Sequence, residues 1–173
     1  MIELRLSTLA GATGDSVPGT PAGSLGKYLS TSTMVNGGLH NLFREATGLE
    51  AEEGHTDYRC FFVVNTGANP YSNVGVWIAA QEPGGADISI GLDPEGVTAE
   101  DASDPQAAAI ASETEAPSGV TFSLPTTPTV MLAAGDVAPG ECFAVWVRRK
   151  VPVGSEARGA DGALLVIQGI EES

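Results

Sequence analysis

The side chains in this sequence that could do chemistry are few and scattered. The 2 histidines, His40 and His55, sit in no HxxH or HExxH arrangement and no CxxC occurs, so the spacings that hold zinc are missing. Both read as surface histidines. Asp93, Glu95 and Gly96 match a calcium loop only in part, because the alternating D-x-D-x-D-G pattern is absent; the stretch reads as a solvated acidic loop. There is no GxSxG, and Cys60 lies inside an apolar run where a thiol is packing material, not a thiolate. Paired carboxylates of the glycosidase kind need a groove, usually walled by aromatics. The chain has 2 Trp, 3 Tyr and 5 Phe, most of them at expected core positions. No catalytic residue, metal ligand or cofactor is expected, and the chain reads as a non-enzyme.

What is left for function is contact. Trp146-Val147-Arg148-Arg149-Lys150 holds the one basic cluster. Arg148, Arg149 and Lys150 read either as the solvated end of a strand or as a patch for an acidic partner, including the acidic loop of a neighbouring subunit. Tyr28, on a short candidate strand, and Tyr71, in a turn, complete the candidate interface residues.

The elements that must position these residues are strands. Ile2, Leu4 and Leu6 alternate with polar residues at period two. Residues 57–65 put Tyr58, Cys60, Phe62 and Val64 on one face, and residues 73–81 put Val74, Val76 and Ile78 opposite Trp77. Further strands are expected over 27–34, 87–92, 119–124, 128–133, 141–149 and 163–169. In the strand over 141–149, Phe143, Val145 and Val147 face away from Cys142, Ala144 and Trp146. The 22 glycines and 11 prolines exceed the about 12% of average usage, so the chain turns often. Turn signals fall at 36–38, 66–72, 83–85 and 138–140, and a loop is expected over 154–162.

Three stretches read differently. Residues 10–26 are rich in small residues and turn formers, and are expected to be a mobile loop or an arm that orders on a partner. Residues 39–48 carry Leu39, Leu42 and Phe43 at helical spacing before Gly48, which predicts a short helical turn. Residues 93–118 carry Asp93, Glu95, Glu100, Asp101, Asp104, Glu113 and Glu115 without a basic residue, and read as one long acidic loop with a short helix near 105–112. The expected fold is all-β: a single antiparallel β-sandwich, immunoglobulin-like or jelly-roll-like, of about eight strands. Residues 1–38 form a strand and extended arm, and residues 39–173 the sandwich domain.

The formal net charge of -14 disfavours nucleic acid as a partner and favours solubility. No apolar run approaches the ~20 residues of a membrane span. Met1 leads into Ile2-Glu3-Leu4-Arg5-Leu6 without a leader pattern, so synthesis in the cytoplasm is expected. On that basis Cys60 and Cys142 read as two buried thiols, although Cys60, Trp77 and Cys142 together are similar to the Cys-Trp-Cys arrangement of immunoglobulin domains.

The run Asp57-Tyr58-Arg59-Cys60-Phe61-Phe62-Val63-Val64-Asn65 followed by Val76-Trp77-Ile78 resembles virion structural proteins of tailed bacteriophages. The stretches Ala109–Glu113, Ala116–Phe122, Ala138-Pro139-Gly140-Glu141 and Val145–Arg149 with Val151-Pro152 fit the same class, so the likeness spans roughly residues 40–170. It implies a β-sandwich that binds other virion proteins (the major capsid protein or tail proteins), works as a homo-oligomer, and resides in the virion after assembly in the host cytoplasm. The expected role is capsid decoration or cementing. The alternatives are a tail or baseplate accessory protein or, in a different class, a carbohydrate-binding or adhesion module for which Tyr71 would be the loop-borne aromatic.

Overall fold

In the computed structural model, which describes residues 1–156 and 161–173, the period-two stretches are strands. They are β1 (Ile2–Thr8), β2 (Tyr28–Thr33), β3 (His55–Asn65), β4 (Tyr71–Gln81), β5 (Asp87–Ala99), β6 (Leu132–Val137), β7 (Glu141–Val151) and β8 (Ala163–Glu171). Every pairing is antiparallel. One sheet has five strands in the order β2-β1-β3-β7-β5, and the other has three in the order β6-β4-β8. From β3 onward successive strands alternate between the sheets. Asn65 fastens the first crossing: its amide Nδ2 donates to the carbonyls of Asn69 (2.9 Å) and Val137 (3.1 Å), and its Oδ1 accepts from Gly67 N (3.0 Å). A fully buried amide with three partners holds a turn because leaving any of them unpaired costs about 1–3 kcal/mol.

The core between the sheets follows from alternation. Phe61 and Val63 of β3 and Phe143, Val145 and Val147 of β7 pack against Val74, Val76 and Ile78 of β4. The opposite face of the large sheet is just as dry. Cys60, Phe62 and Val64 of β3, with Cys142, Ala144 and Trp146 of β7, are buried beneath Leu25, Ala107, Ile110, Val120 and Phe122. The two central strands are therefore apolar on both sides, which is why Cys60–Val64 and Cys142–Val147 are unbroken apolar runs.

The cover on that second face is irregular chain, residues 9–27 and 100–124. The sequence predicts that residues 10–26 form a mobile loop or an arm that orders on a partner; they are irregular chain, as in a loop, and lie on the chain's own sheet. The two cover segments meet each other at a bridge between Gly26 and Ala109, and Lys27 N donates to Ala108 O at 3.1 Å. Only glycine fits at position 26: φ is +87°, and a Cβ there would stand 1.9 Å from Ala108 O and 2.7 Å from the Trp146 ring. Gln106, fully buried, accepts from Leu29 N (2.8 Å) and donates to Ala99 O (2.5 Å). Asp93, expected on a solvated loop, is buried in β5 and accepts from Trp146 Nε1 and Ala108 N, both at 2.8 Å. Its carboxylate ties the cover to the centre of the sheet.

Other expectations are corrected. The acidic stretch 93–118 is not one loop, because Asp93–Ala99 completes β5. No helix forms over 39–48. Leu42 is buried and Phe43 packs on the core, but Leu39 is exposed, and the helix begins later as α1 (Gly48–Glu53). Its start is set by a capping box in which Thr47 and Glu50 satisfy each other's backbone N–H groups. No helix forms at 105–112 either, where Ile110 N and Gln106 N donate to the carbonyls of Leu25 and Lys27 rather than to a helical ladder. The strand expected over 119–124 is reduced to one bridge, Ser123 with Ile90, and 128–133 begins as a 3₁₀ turn at Pro128–Val130 before β6. Of the loop expected over 154–162, residues 157–160 lie outside the described residues.

Candidate functional site

At one end of the inner face, polar residues take the positions that apolar ones hold further along. Inward-pointing residues of β3 are Phe61 and Val63, and the same parity carries Arg59, Asp57 and His55. Arg149 stands directly opposite Asp57 on β7. Its Nε donates to Asp57 Oδ1 at 3.0 Å and its Nη2 to Oδ2 at 2.7 Å, a two-pronged pair with Asp57 fully buried. Arg149 Nη1 also donates to Arg44 O at 2.6 Å. Arg59, buried, pairs with Glu113 of the cover segment and donates from Nη1 to Tyr58 O at 3.0 Å. The Phe43 ring receives both guanidiniums, that of Arg149 at 4.8 Å and that of Arg59 at 5.8 Å from its centroid.

The network extends to α1. Arg44 donates from Nη1 to Glu50 Oε2 (2.8 Å) and from Nη2 to Glu50 Oε1 (2.5 Å) and Glu113 Oε1 (3.0 Å). The Arg44 guanidinium holds Glu50 well below the usual carboxylate range. Burial pulls Glu113 upward, but Arg59 and Arg44 outweigh it and leave that carboxyl low as well. His55 Nε2 lies 3.4 Å from Glu50 Oε1 and 3.8 Å from Asp57 Oδ2 without completing a hydrogen bond. His55 is thus not the surface histidine expected, whereas His40 is exposed.

His55, Asp57 and Glu113 bring possible ligand atoms within 4.8 Å of one another. Each carboxylate already faces a guanidinium, however, and three arginines surround the group. A divalent ion there would meet that positive charge and would have to displace Arg149 from Asp57 and Arg59 from Glu113. The donor set fits an ion-pair clasp and not a metal centre. The clasp joins the 34–54 segment, the cover segment, β3 and β7.

The sequence-predicted interface residues are dispersed. Arg149 is held inside the clasp. Arg148, its neighbour, points to the other face, donates from Nε to Ser89 Oγ (2.9 Å) and stacks over Phe122 at 5.2 Å. Lys150 alone of the three is exposed. Tyr28 is buried, with its hydroxyl donating to Ser103 O at 3.1 Å. Tyr71 is the first residue of β4, half-buried and in register with Glu171. Loss of solvation and the Glu171 carboxylate both push its phenol up. Cys60 and Cys142 are free thiols on the same face of one sheet. Cys142 is opposite Val64 and Cys60 opposite Trp146, so the cysteines stand four positions apart along the strands, roughly 13 Å at strand rise. That separation exceeds disulfide reach.

The sequence reading missed the outer surface of the small sheet. Leu165 and Ile167 of β8 pack on the inner core, so Leu164, Val166, Gln168 and Ile170 face outward. Trp77 stands opposite Val166, extending this face onto β4. Leu164 is 56% and Ile170 62% exposed. The signal was present in Ala163–Gly169 as an apolar run too uniform to show which side faces water.

No protein-family model matches the chain, and neither a curated protein nor a solved structure matches it.

Proposed function

We propose that this protein is a non-enzymatic structural component of a tailed-phage virion that decorates or cements the capsid through protein–protein contacts. The observation that carries this reading is the outward apolar face of the small sheet, where Leu164, Val166, Ile170 and Trp77 gather on the paired strands β8 and β4. Rigid strands presenting apolar side chains suit a lasting contact between folded proteins, because little conformational entropy is lost on docking. The resemblance of residues 40–170 to virion proteins supports this setting. The sandwich is of the jelly-roll-like kind: the alternation of strands between sheets from β3 to β8 supports this form. Both cysteines lie in one sheet, which departs from the inter-sheet pair of immunoglobulin domains.

Quantitative mass spectrometry of purified particles tests the reading. Hundreds of copies per particle agree with a capsid decoration role. A handful moves the protein to the neck or baseplate, and absence from particles rejects a virion role altogether.

A further inference from the structure

Four strands form sheet edges, and the chain treats them differently. The outer edge of β2 is covered by the N-terminal segment, with Asp15 N donating to Leu29 O (2.8 Å) and Thr31 N to Val17 O (3.0 Å). The outer edge of β5 is paired to Ser123 through reciprocal bonds with Ile90, each 2.9 Å. β6 is short, lies against β5, and is irregular in register, with Gly135 at φ +101°. β8 is the exception. It runs nine residues, and among the described residues its backbone pairs only with β4. Its inward side chains Leu165 and Ile167 are still half-exposed, whereas Val74, Val76 and Ile78 on the adjoining strand are sealed. Among the described residues, nothing pairs with the edge beside them.

Natural sheets guard such an edge with lysine, proline or a bulge that turns it away. Ala163–Ile170 contains no charged residue and no proline. In a chain of net charge -14 this is a strip where two copies can approach without carboxylate facing carboxylate. A basic foreign partner would find nothing there to pair with, while a neutral self-complementary strand would.

We infer that β8 pairs antiparallel with β8 of a second copy, about a two-fold axis at Ile167. This register overlaps the whole strand. On the outer face it sets Leu164 opposite Ile170 and Val166 opposite Gln168 of the other copy, and it leaves Glu171 opposite Ala163 rather than another acid. The product is a continuous six-stranded sheet, β6-β4-β8-β8-β4-β6, whose outer face joins the Leu164, Val166, Ile170 and Trp77 patches of the two copies around Gln168 of each. The inference does not depend on the virion reading and stands or falls separately from it.

Sedimentation velocity over a concentration series tests it on the full chain. The expected species has twice the 17.6 kDa chain mass, and its dissociation constant falls as salt screens the acidic surfaces. Leu164→Lys and Ile170→Glu, both at exposed positions, are each expected to weaken the dimer at least tenfold while leaving the thermal midpoint of the monomer unchanged. Mixing the two variants is expected to restore dimer. In the mixed pair the introduced lysine of one copy faces the introduced glutamate of the other, while the native Leu164 and Ile170 still meet on the far side of the axis. A monomer at every concentration overturns the inference, as does a dimer indifferent to both variants, a dimer dissolved by salt, or a failure of the mixed variants to recover.

Discussion

Asp57 and Arg149 face each other across β3 and β7 and share two parallel hydrogen bonds, at 3.0 and 2.7 Å, where the strands would otherwise carry apolar residues. Replacing both with apolar residues of similar volume costs little in such settings, but removing one strands the other's charge in the interior, typically about 3–5 kcal/mol. Asp57→Ala is therefore expected to destabilise by that order, and Asp57→Leu with Arg149→Leu by much less. Urea unfolding of the single and double variants measures the difference; equal losses would show that the pair is not the unit of stability.

The clasp also sets an acid limit. Glu50 and Glu113 titrate lower in the folded protein than in the unfolded chain, so the stability they contribute is present above the ordinary carboxylate value of about 4.3 and drains away as pH falls through their folded values. Arg44→Ala removes a cation common to both. It is expected to lower stability at pH 7 and to flatten the decline between about pH 5 and pH 2. Urea midpoints across that range give the two slopes, and parallel curves would count against the assignment.

Gly26 is where the cover meets the sheet. Gly26→Ala adds a methyl against Ala108 O in a backbone region that disfavours it, an expected loss of more than about 2 kcal/mol. Hydrogen exchange should report the opening locally, in residues 100–124 and the face bearing Trp146, before the inner core loosens. Uniform loss of protection would mean that the cover and the sandwich unfold as one unit.

The thiols should be silent. Burial pushes Cys60 well up and Cys142 up to about 12, so neither forms thiolate at neutral pH. An aromatic disulfide reagent at pH 8 is expected to label neither in the native protein and both in denaturant. Fast native labelling of either would show that the cover opens readily.

Legibility in the sequence followed the range of the interaction. β3, β4 and β7 could be read because period two and turn residues are local properties. α1 was readable in principle from Thr47 and Glu50, but the spacing of Leu39, Leu42 and Phe43 gave a competing helical pattern. Leu42 and Phe43 face the core individually, from irregular chain, and spacing cannot distinguish that from a helix.

The amino-acid sequence by itself determined the strand class, the positions of the main turns and the absence of charge from Ala163 to Ile170. Only the tertiary structure decided where the faces go. It buried Asp93 under the cover, turned Arg149 inward to Asp57 while Arg148 went outward, laid the N-terminal segment on its own sheet and, among the described residues, left the outer edge of β8 unpaired. The reason is physical. Backbone periodicity arises between near neighbours, whereas a buried charge or a dry face depends on which distant segment excludes water from it, and that pairing is settled when the chain packs.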